Sequence, residues 1–433
     1  MLTIRGRKRR LCDGLGRREF LKIGGLGIGG LTLADLFRAE AAAAPGSPYK
    51  RRSIINIYLP GGPSHMDLFD IKAEAPVEFR GEFSSIETSV PGIRICEHLP
   101  RLAALMHKLV VVRSVSGLND EHTSNQSDSG WSYNSLESIG GRPSLGSVVA
   151  RLQGGSTPSA PPFVQLSGSS SPGFLGPVYQ PYVPDGPGRE NLSLGAEVTL
   201  DRLGDRARLL RGFDRLREEL DASGTMRAID AFNQRAVGVV TSSALADSFD
   251  LEQEDPRTRE RYFSGDYDGY GNDRFLLARR LIEAGVRCVS ISWGSWDTHG
   301  DNFTWLRQQL PQLDLALSSL IEDLDARGLL DETMILMSGE FGRTPRVNGG
   351  AGRDHWARVG CALLAGGGLR AGQAIGTTNR LGEYAQERPV HIQEIFATLY
   401  HQLGIDPEET KLIDPNGRPQ YLVDERAPMP ELV

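Results

Sequence analysis

The sequence predicts an α/β fold with a mainly parallel central sheet. Helix-then-strand units recur in series along the chain. Its strand-like runs are apolar throughout instead of alternating, as in strands covered on both faces. Polar loops follow those runs, and the ligand sites of such sheets lie beyond the strands' carboxyl ends.

In chain order, "RSIINIYLPGG" (52–62) is an apolar run closed by glycine, the form of a buried strand. "HLPRLAALMHKLVVVRSV" (98–115) reads as a helix running into a second strand. Residues 155–265 break the pattern. They open with a Gly/Pro/Ser-dense stretch, in which "PFVQLSG" (162–168) is the single strand candidate for the sheet. From Ala196 to about Tyr262 they turn charged and helical, so this span is expected to be an insertion on the main sheet.

"NDRFLLARRLIEAGVRCVSISWG" (272–294) resumes the pattern, with a stripe of Phe275, Leu276, Ala278, Leu281 and Ile282 and with Gly285 as its stop. Residues 309–343 repeat it, with Gly328 as the stop. "HIQEIFATLYHQLGI" (391–405) is a closing amphipathic helix.

The chain has 433 residues, 39% hydrophobic, which suffices for a large core. A net charge of −7 argues against a nucleic-acid or membrane-surface binder, which would be basic. Residues 1–44 read as an address. Arg17 and Arg18 precede Phe20, Leu21 and Lys22, then a Gly-rich apolar stretch and a small-residue run to Ala44. This resembles a twin-arginine signal and implies export to the periplasm or beyond. Its apolar part is too short for a stable membrane span after cleavage. Beyond Cys12, three cysteines without CxxC spacing argue against a disulfide framework, and Cys288 and Cys361 sit in apolar runs as small core residues.

Candidate site residues collect in the loops at strand ends. His65 and Asp67 follow the first strand; His122, Thr123 and Ser124 follow the second. Asp297 and His299 follow a third, and Glu340 and Arg343 a fourth. Asp354 and His355 precede another apolar run. A lone loop histidine is ordinarily a surface or capping group. Imidazoles and carboxylates at several adjoining strand ends instead suit a divalent ion, zinc first, with manganese, magnesium or calcium as alternatives. The donors suffice for one or two ions. Asp354 ranks below His355 because it could cap the following segment. Arg343 reads as an ion-pair partner or as a clamp for phosphate or sulfate. His98, His107, His391 and His401 lie on helix-like stretches and read as packing or surface groups.

"LDLALSSLIEDLDARGLLDETMILMSGEFGR" resembles the helix–turn–strand unit of the alkaline-phosphatase-like superfamily. Through "GGPSHMDLFD", "LLARRLIEAGVR", "WDTHGDNF" and "SGEFGRTPRVNGGAGRDHW", residues 52–405 resemble the DUF1501 family, a branch of it with twin-arginine signals. The resemblance implies a three-layer sandwich over about residues 50–425. It makes Asp297, His299, Glu340 and His355 metal ligands, with His65, Asp67 and His122 completing a second site. Where the superfamily has its first aspartate this chain has Gly61 and Gly62, and Phe341 stands where a histidine follows the acid. Thr123, then Ser124, fill the nucleophile place, and no CxPxR sulfatase signature is present.

The activity implied is hydrolysis of a small-molecule or glycan phosphate or sulfate ester. A mutase or transferase on the same scaffold is an alternative. So is an exported glycan-binding or structural protein with a vestigial metal site.

Overall fold

The computed structural model describes residues 52–157, 160–184, 243–263 and 271–433. The signal-like segment and most of the charged helical stretch within 155–265 lie outside the described residues.

Strand β1 (Ser53–Tyr58) is followed by the short helix α1 (His65–Leu68). Helix α2 (Pro100–Ala104) precedes β2 (Leu109–Ser116), and α3 (Asn125–Ser129) and α4 (Leu145–Leu152) precede β3 (Phe163–Gln165). Helix α5 (Asp273–Glu283) feeds β4 (Cys288–Ser292), and α6 (Asn302–Ala326) feeds β5 (Thr333–Ser338). Strands β6 (Gly360–Gly366), β7 (Gln373–Ile375) and β8 (Val390–His391) come before α7 (Ile392–Gln402).

One eight-stranded sheet organises these elements, in the order β7-β2-β6-β5-β1-β4-β3, with β8 also pairing with β2. Alternate residues of each strand enter opposite cores. Ile55, Ile57, Val111, Ile291 and Met337 pack with Phe275, Leu276 and Leu313 of α5 and α6. Ile54, Val110, Val112, Leu336 and Leu364 pack with Val149 of α4 and Phe396 and Leu399 of α7. Two covered faces explain why the strands read as unbroken apolar runs. Cys96, Cys288 and Cys361 are buried and unbridged. Among the described residues no helix is long and apolar enough to cross a membrane.

The sheet is mixed, not purely parallel. Strand β1 runs parallel to β4 and β5, β3 parallel to β4, and β7 and β8 parallel to β2. Strand β6 is antiparallel to both of its neighbours, β2 and β5. A parallel return needs a crossover, usually helical. The segment between β5 and β6 holds only a two-stranded ribbon, Gly342–Arg343 against His355–Trp356. The chain therefore turns back at the edge it has just reached. The start of β6 lies at the same edge as the ends of β1, β2, β4 and β5, which brings His355 to that edge.

Helix α6 begins at Asn302, earlier than the predicted start, and carries Pro311 inside it. The buried Asn302 side chain fixes this beginning: it accepts from the Thr298 hydroxyl at 2.6 Å and donates to Asp67 at 3.0 Å. Further along α6, the Asp314 carboxylate accepts from the backbone N–H of Arg101 and Leu102, at 2.9 and 2.8 Å, and so satisfies the open start of α2. Helix α7 starts at a capping box in which the His391 ring accepts from the Gln393 N–H and Glu394 accepts from the His391 N–H.

Of the described residues within 155–265, β3 alone joins the central sheet as a strand, at its edge. Residues 243–263 pack on α5 and α6. Arg279, 1% exposed, ties them together by donating to Glu254, Glu283 and Asp323.

Candidate metal centre

Two glycines bring the strand-end loops together. Gly61 has φ +100°, and a side-chain carbon there would lie 2.3 Å from the Asp297 backbone nitrogen. Gly62 has φ +77°, and a side-chain carbon there would meet the Phe341 ring at 2.4 Å. Both positions need the left-handed backbone and the missing Cβ. The end of β1 therefore carries no acidic ligand: the space for one is filled by the Asp297 loop.

Above this junction three imidazoles converge. His122 Nε2 lies 3.1 Å from His355 Nε2, and His299 Nε2 lies 3.1 Å from the same atom. Asp297 Oδ1 lies 3.0 Å from His299 Nε2 and 3.2 Å from His355 Nε2; its Oδ2 lies 3.8 Å from His122 Nε2. The opposite nitrogen of every ring faces a carboxylate. His299 Nδ1 is 2.7 Å from Asp354 Oδ1, His355 Nδ1 is 2.7 Å from Asp120 Oδ1, and His122 Nδ1 is 3.3 Å from Glu340 Oε1. A carboxylate at Nδ1 fixes the tautomer and leaves a lone pair on Nε2. Lone pairs on His122 and His299 that both face His355 Nε2 repel it unless a cation lies between, and His122, Asp297 and His355 are close enough together to share one ion.

The donor set fits a divalent ion. Around a four-coordinate zinc, bonds of about 2.0–2.2 Å put ligand atoms roughly 3.3–3.5 Å apart, close to the spacings seen here. The cluster is open on one side, with the side chains of His122 and His299 each 48% exposed and Asp297 43% exposed. A closed structural site would leave no such face. Phe341 forms an apolar wall, its ring centroid 4.4 Å from that of His355 and 5.3 Å from that of His122.

Arg343 anchors the floor. It is fully buried and donates to the carbonyls of Gly61, Gly62 and Arg353 and, at 2.5 Å, to Asp297 Oδ1. Its guanidinium is engaged on the protein's own backbone, so it is not placed as a clamp for a substrate anion; it positions Asp297. Partial burial opposes ionisation of Asp297, but the hydrogen bond and the charge of Arg343 outweigh it, holding the carboxyl below its ordinary value. The bond to His299 is the main reason Asp354 is also held low.

Glu340 stands one layer behind the cluster. It is fully buried, accepts the Gly61 N–H at 2.7 Å, and reaches the imidazoles through His122 Nδ1. Burial raises its pKa, and burial together with the nearby Glu340 raises that of Tyr58.

The structure takes His65 and Asp67 elsewhere. His65 is buried with Nε2 2.8 Å from the Gly382 carbonyl oxygen, and burial lowers its pKa. Asp67 is fully buried in a two-pronged pair with Arg353, at 2.8 and 3.1 Å, and also accepts from Asn302. Both are fully desolvated inside the fold, and Asp67 is already neutralised, so neither completes a second ion site. Ser124 donates to the Ser169 carbonyl at 3.2 Å and bonds to Asp128. The Thr123 hydroxyl oxygen is buried without a hydrogen-bond partner.

One contributor lies outside the residues the sequence singles out: Asp120, on His355 Nδ1. Asp354, a candidate ranked below His355, holds His299 by its Nδ1. A carboxylate near each candidate imidazole in the same loops was the available signal; which ring nitrogen it met was not readable. His122, assigned to a second site, belongs with Asp297 and His355.

No curated protein matches this chain. Residues 51–433 match the family described as "Protein of unknown function (DUF1501)", and the chain belongs to that family.

Proposed function

We propose that this chain is an exported metal-dependent hydrolase of phosphate or sulfate esters, built on an alkaline-phosphatase-like three-layer sandwich. The observation that carries the reading is the gathering of His122, His355 and Asp297 into one group with ligand atoms within 4.8 Å of one another, with His299 against His355 and Asp297 at its side, every Nδ1 tied to a carboxylate and one side open. Three imidazoles and one carboxylate suit zinc best among common divalent ions. A bound ion of this kind supplies Lewis-acid polarisation of a phosphoryl or sulfuryl oxygen and lowers the pKa of water. The chain's own part is to hold the donors. Asp120 and Asp354 orient His355 and His299, Arg343 fixes Asp297, and the Phe341 ring keeps one wall dry. With neither Thr123 nor Ser124 bonded to the cluster, water is the nucleophile in this reading. Helices on both sheet faces and donors at the strand-end edge support the superfamily assignment. Arg17 and Arg18 support export.

One observation favours a second reading. Arg343 is closed to ligands and no hydroxyl is tied to the cluster, as in a non-catalytic glycan-binding or structural protein that keeps its ion. A hydrolysis screen separates the two. Metal-loaded protein is given aryl phosphate and aryl sulfate esters with and without chelator. The hydrolase reading expects turnover that chelator removes and that His299→Ala lacks. Turnover absent in the metal-loaded protein, or unchanged in His299→Ala, refutes it.

A further inference from the structure

A cavity apart from the histidine cluster opens beside α1 and β2. It has a volume of about 610 Å³ and is lined by Lys72, Arg94, Arg113 and Arg380 with Asp70 and Glu74. That is within the roughly 300–1,000 Å³ of small-ligand sites. Four cations face two carboxylates in a chain whose net charge is −7.

The internal pairing leaves positive charge over. Asp70 is taken by Lys72 at 3.0 Å and by the Thr378 hydroxyl. Arg94 pairs with Glu87 outside the lining and bonds to Ser85. Arg113 makes no ion-pair contact with a carboxylate among the described residues, although the Asp70 charge acts on it. Its Nη2 donates to the Arg94 carbonyl at 2.8 Å, and its Nε is buried without any hydrogen-bond partner. The exposed Arg380 makes no ion pair or hydrogen bond among the described residues, and Glu74, also on the wall, forms none with it. Two guanidinium groups from separate segments, one on a sheet strand and one on a loop, thus line one cavity with donors to spare. An orphaned guanidinium N–H in a confined space is costly unless an acceptor arrives, and a planar guanidinium matches a tetrahedral oxyanion through two parallel bonds.

We infer that this cavity binds a phosphate or sulfate group, through Arg113 and Arg380, at a site separate from the candidate metal centre. The site gives the protein a handle for a ligand carrying more than one such group. It does not depend on the hydrolase reading, because no cluster residue lines it.

The test is isothermal titration of chelator-treated full-length protein with inorganic phosphate, inorganic sulfate and, as a planar comparison, acetate. Phosphate or sulfate should bind; acetate, which makes the same two-pronged contact but carries only one negative charge, should bind at least about tenfold more weakly. Whichever of the two binds more tightly names the oxyanion this cavity prefers. Arg380→Gln, a change at an exposed side chain, should weaken the interaction about tenfold or more, the scale of one charge-assisted contact. Arg113→Gln should do the same, and His355→Ala should leave it unchanged. Thermal unfolding of Arg380→Gln at the wild-type midpoint shows that the fold is intact. Absence of binding, equal binding of acetate, or wild-type affinity in Arg380→Gln overturns the inference. Failure of the metal centre would leave all these results as they stand.

Discussion

His299 Nδ1 and Asp354 Oδ1 lie 2.7 Å apart, so the far nitrogen of the ring is turned to the point where His355 and Asp297 meet. The same arrangement joins His355 to Asp120. Partners of this kind typically contribute about 10–100-fold in metal affinity. Asp354→Ala and Asp120→Ala should each weaken zinc binding by roughly that factor, measured by competition with a chromophoric chelator. An unchanged affinity in both would place these carboxylates outside the support of the site.

Asp67 and Arg353 are both fully buried. Removing one partner of such a pair costs about 3–5 kcal/mol, since the other charge is left stranded. Asp67→Ala should lose that much in urea unfolding while the folded protein keeps its full metal content. Loss of metal without loss of stability would return Asp67 to the ligand set.

Asp128 is buried, which raises its pKa from 3.8 to about 6 against hydrogen bonds from Ser124, Ser170 and Asn56. Below pH 4 both folded and unfolded states hold the proton. Between pH 4 and 6 the unfolded chain releases it first, so stability falls as pH rises, and above 6 the effect is complete. Asp128→Asn removes this dependence. Its stability relative to wild type should therefore improve between pH 4 and pH 7 by on the order of 2–3 kcal/mol, read from denaturant titrations at the two values. A gap that does not change with pH contradicts the assignment.

Gly61 and Gly154 both have positive φ, but a side-chain carbon at 154 meets nothing within 4 Å, whereas one at 61 strikes the Asp297 backbone. Gly154→Ala should cost only the left-handed strain, about 1–2 kcal/mol. Gly61→Ala should also displace Asp297 and lower metal content. Equal metal content in the two variants would remove the steric account of the glycine at the end of β1.

Much of this was legible in the sequence, for physical reasons. Apolar runs such as "SIINIY" and "TMILMS" mark strands buried on both faces, and Asp297, His299 and His355 stand next to such runs. The direction of β6 was not legible, because it depends on a connection that lacks a helix, and an absent helix leaves no pattern. The sequence left Arg343 as an ion-pair partner or an anion clamp; its pair with Asp297 and its bonds to the Gly61 and Gly62 carbonyls settle it as the first, and those long-range contacts leave no local pattern. His65 and Asp67 look like ligands in one dimension. The buried Arg353 that takes up Asp67 lies far along the chain, so no local spacing announces the pair. Asp120, and the role of Asp354 as the partner of a ring nitrogen, became visible only once the orientation of each ring was known.

The most direct test of the central claim is elemental analysis of the purified protein reconstituted with zinc, beside His355→Ala. His355 is the imidazole shared by His122, His299 and Asp297, so its loss should dismantle the cluster. Wild-type protein should hold about one zinc per chain, and His355→Ala less than about a tenth of that after identical dialysis, since losing one ligand removes most of the affinity. A wild-type protein that retains no divalent ion, or a His355→Ala protein that retains the full amount, would contradict it.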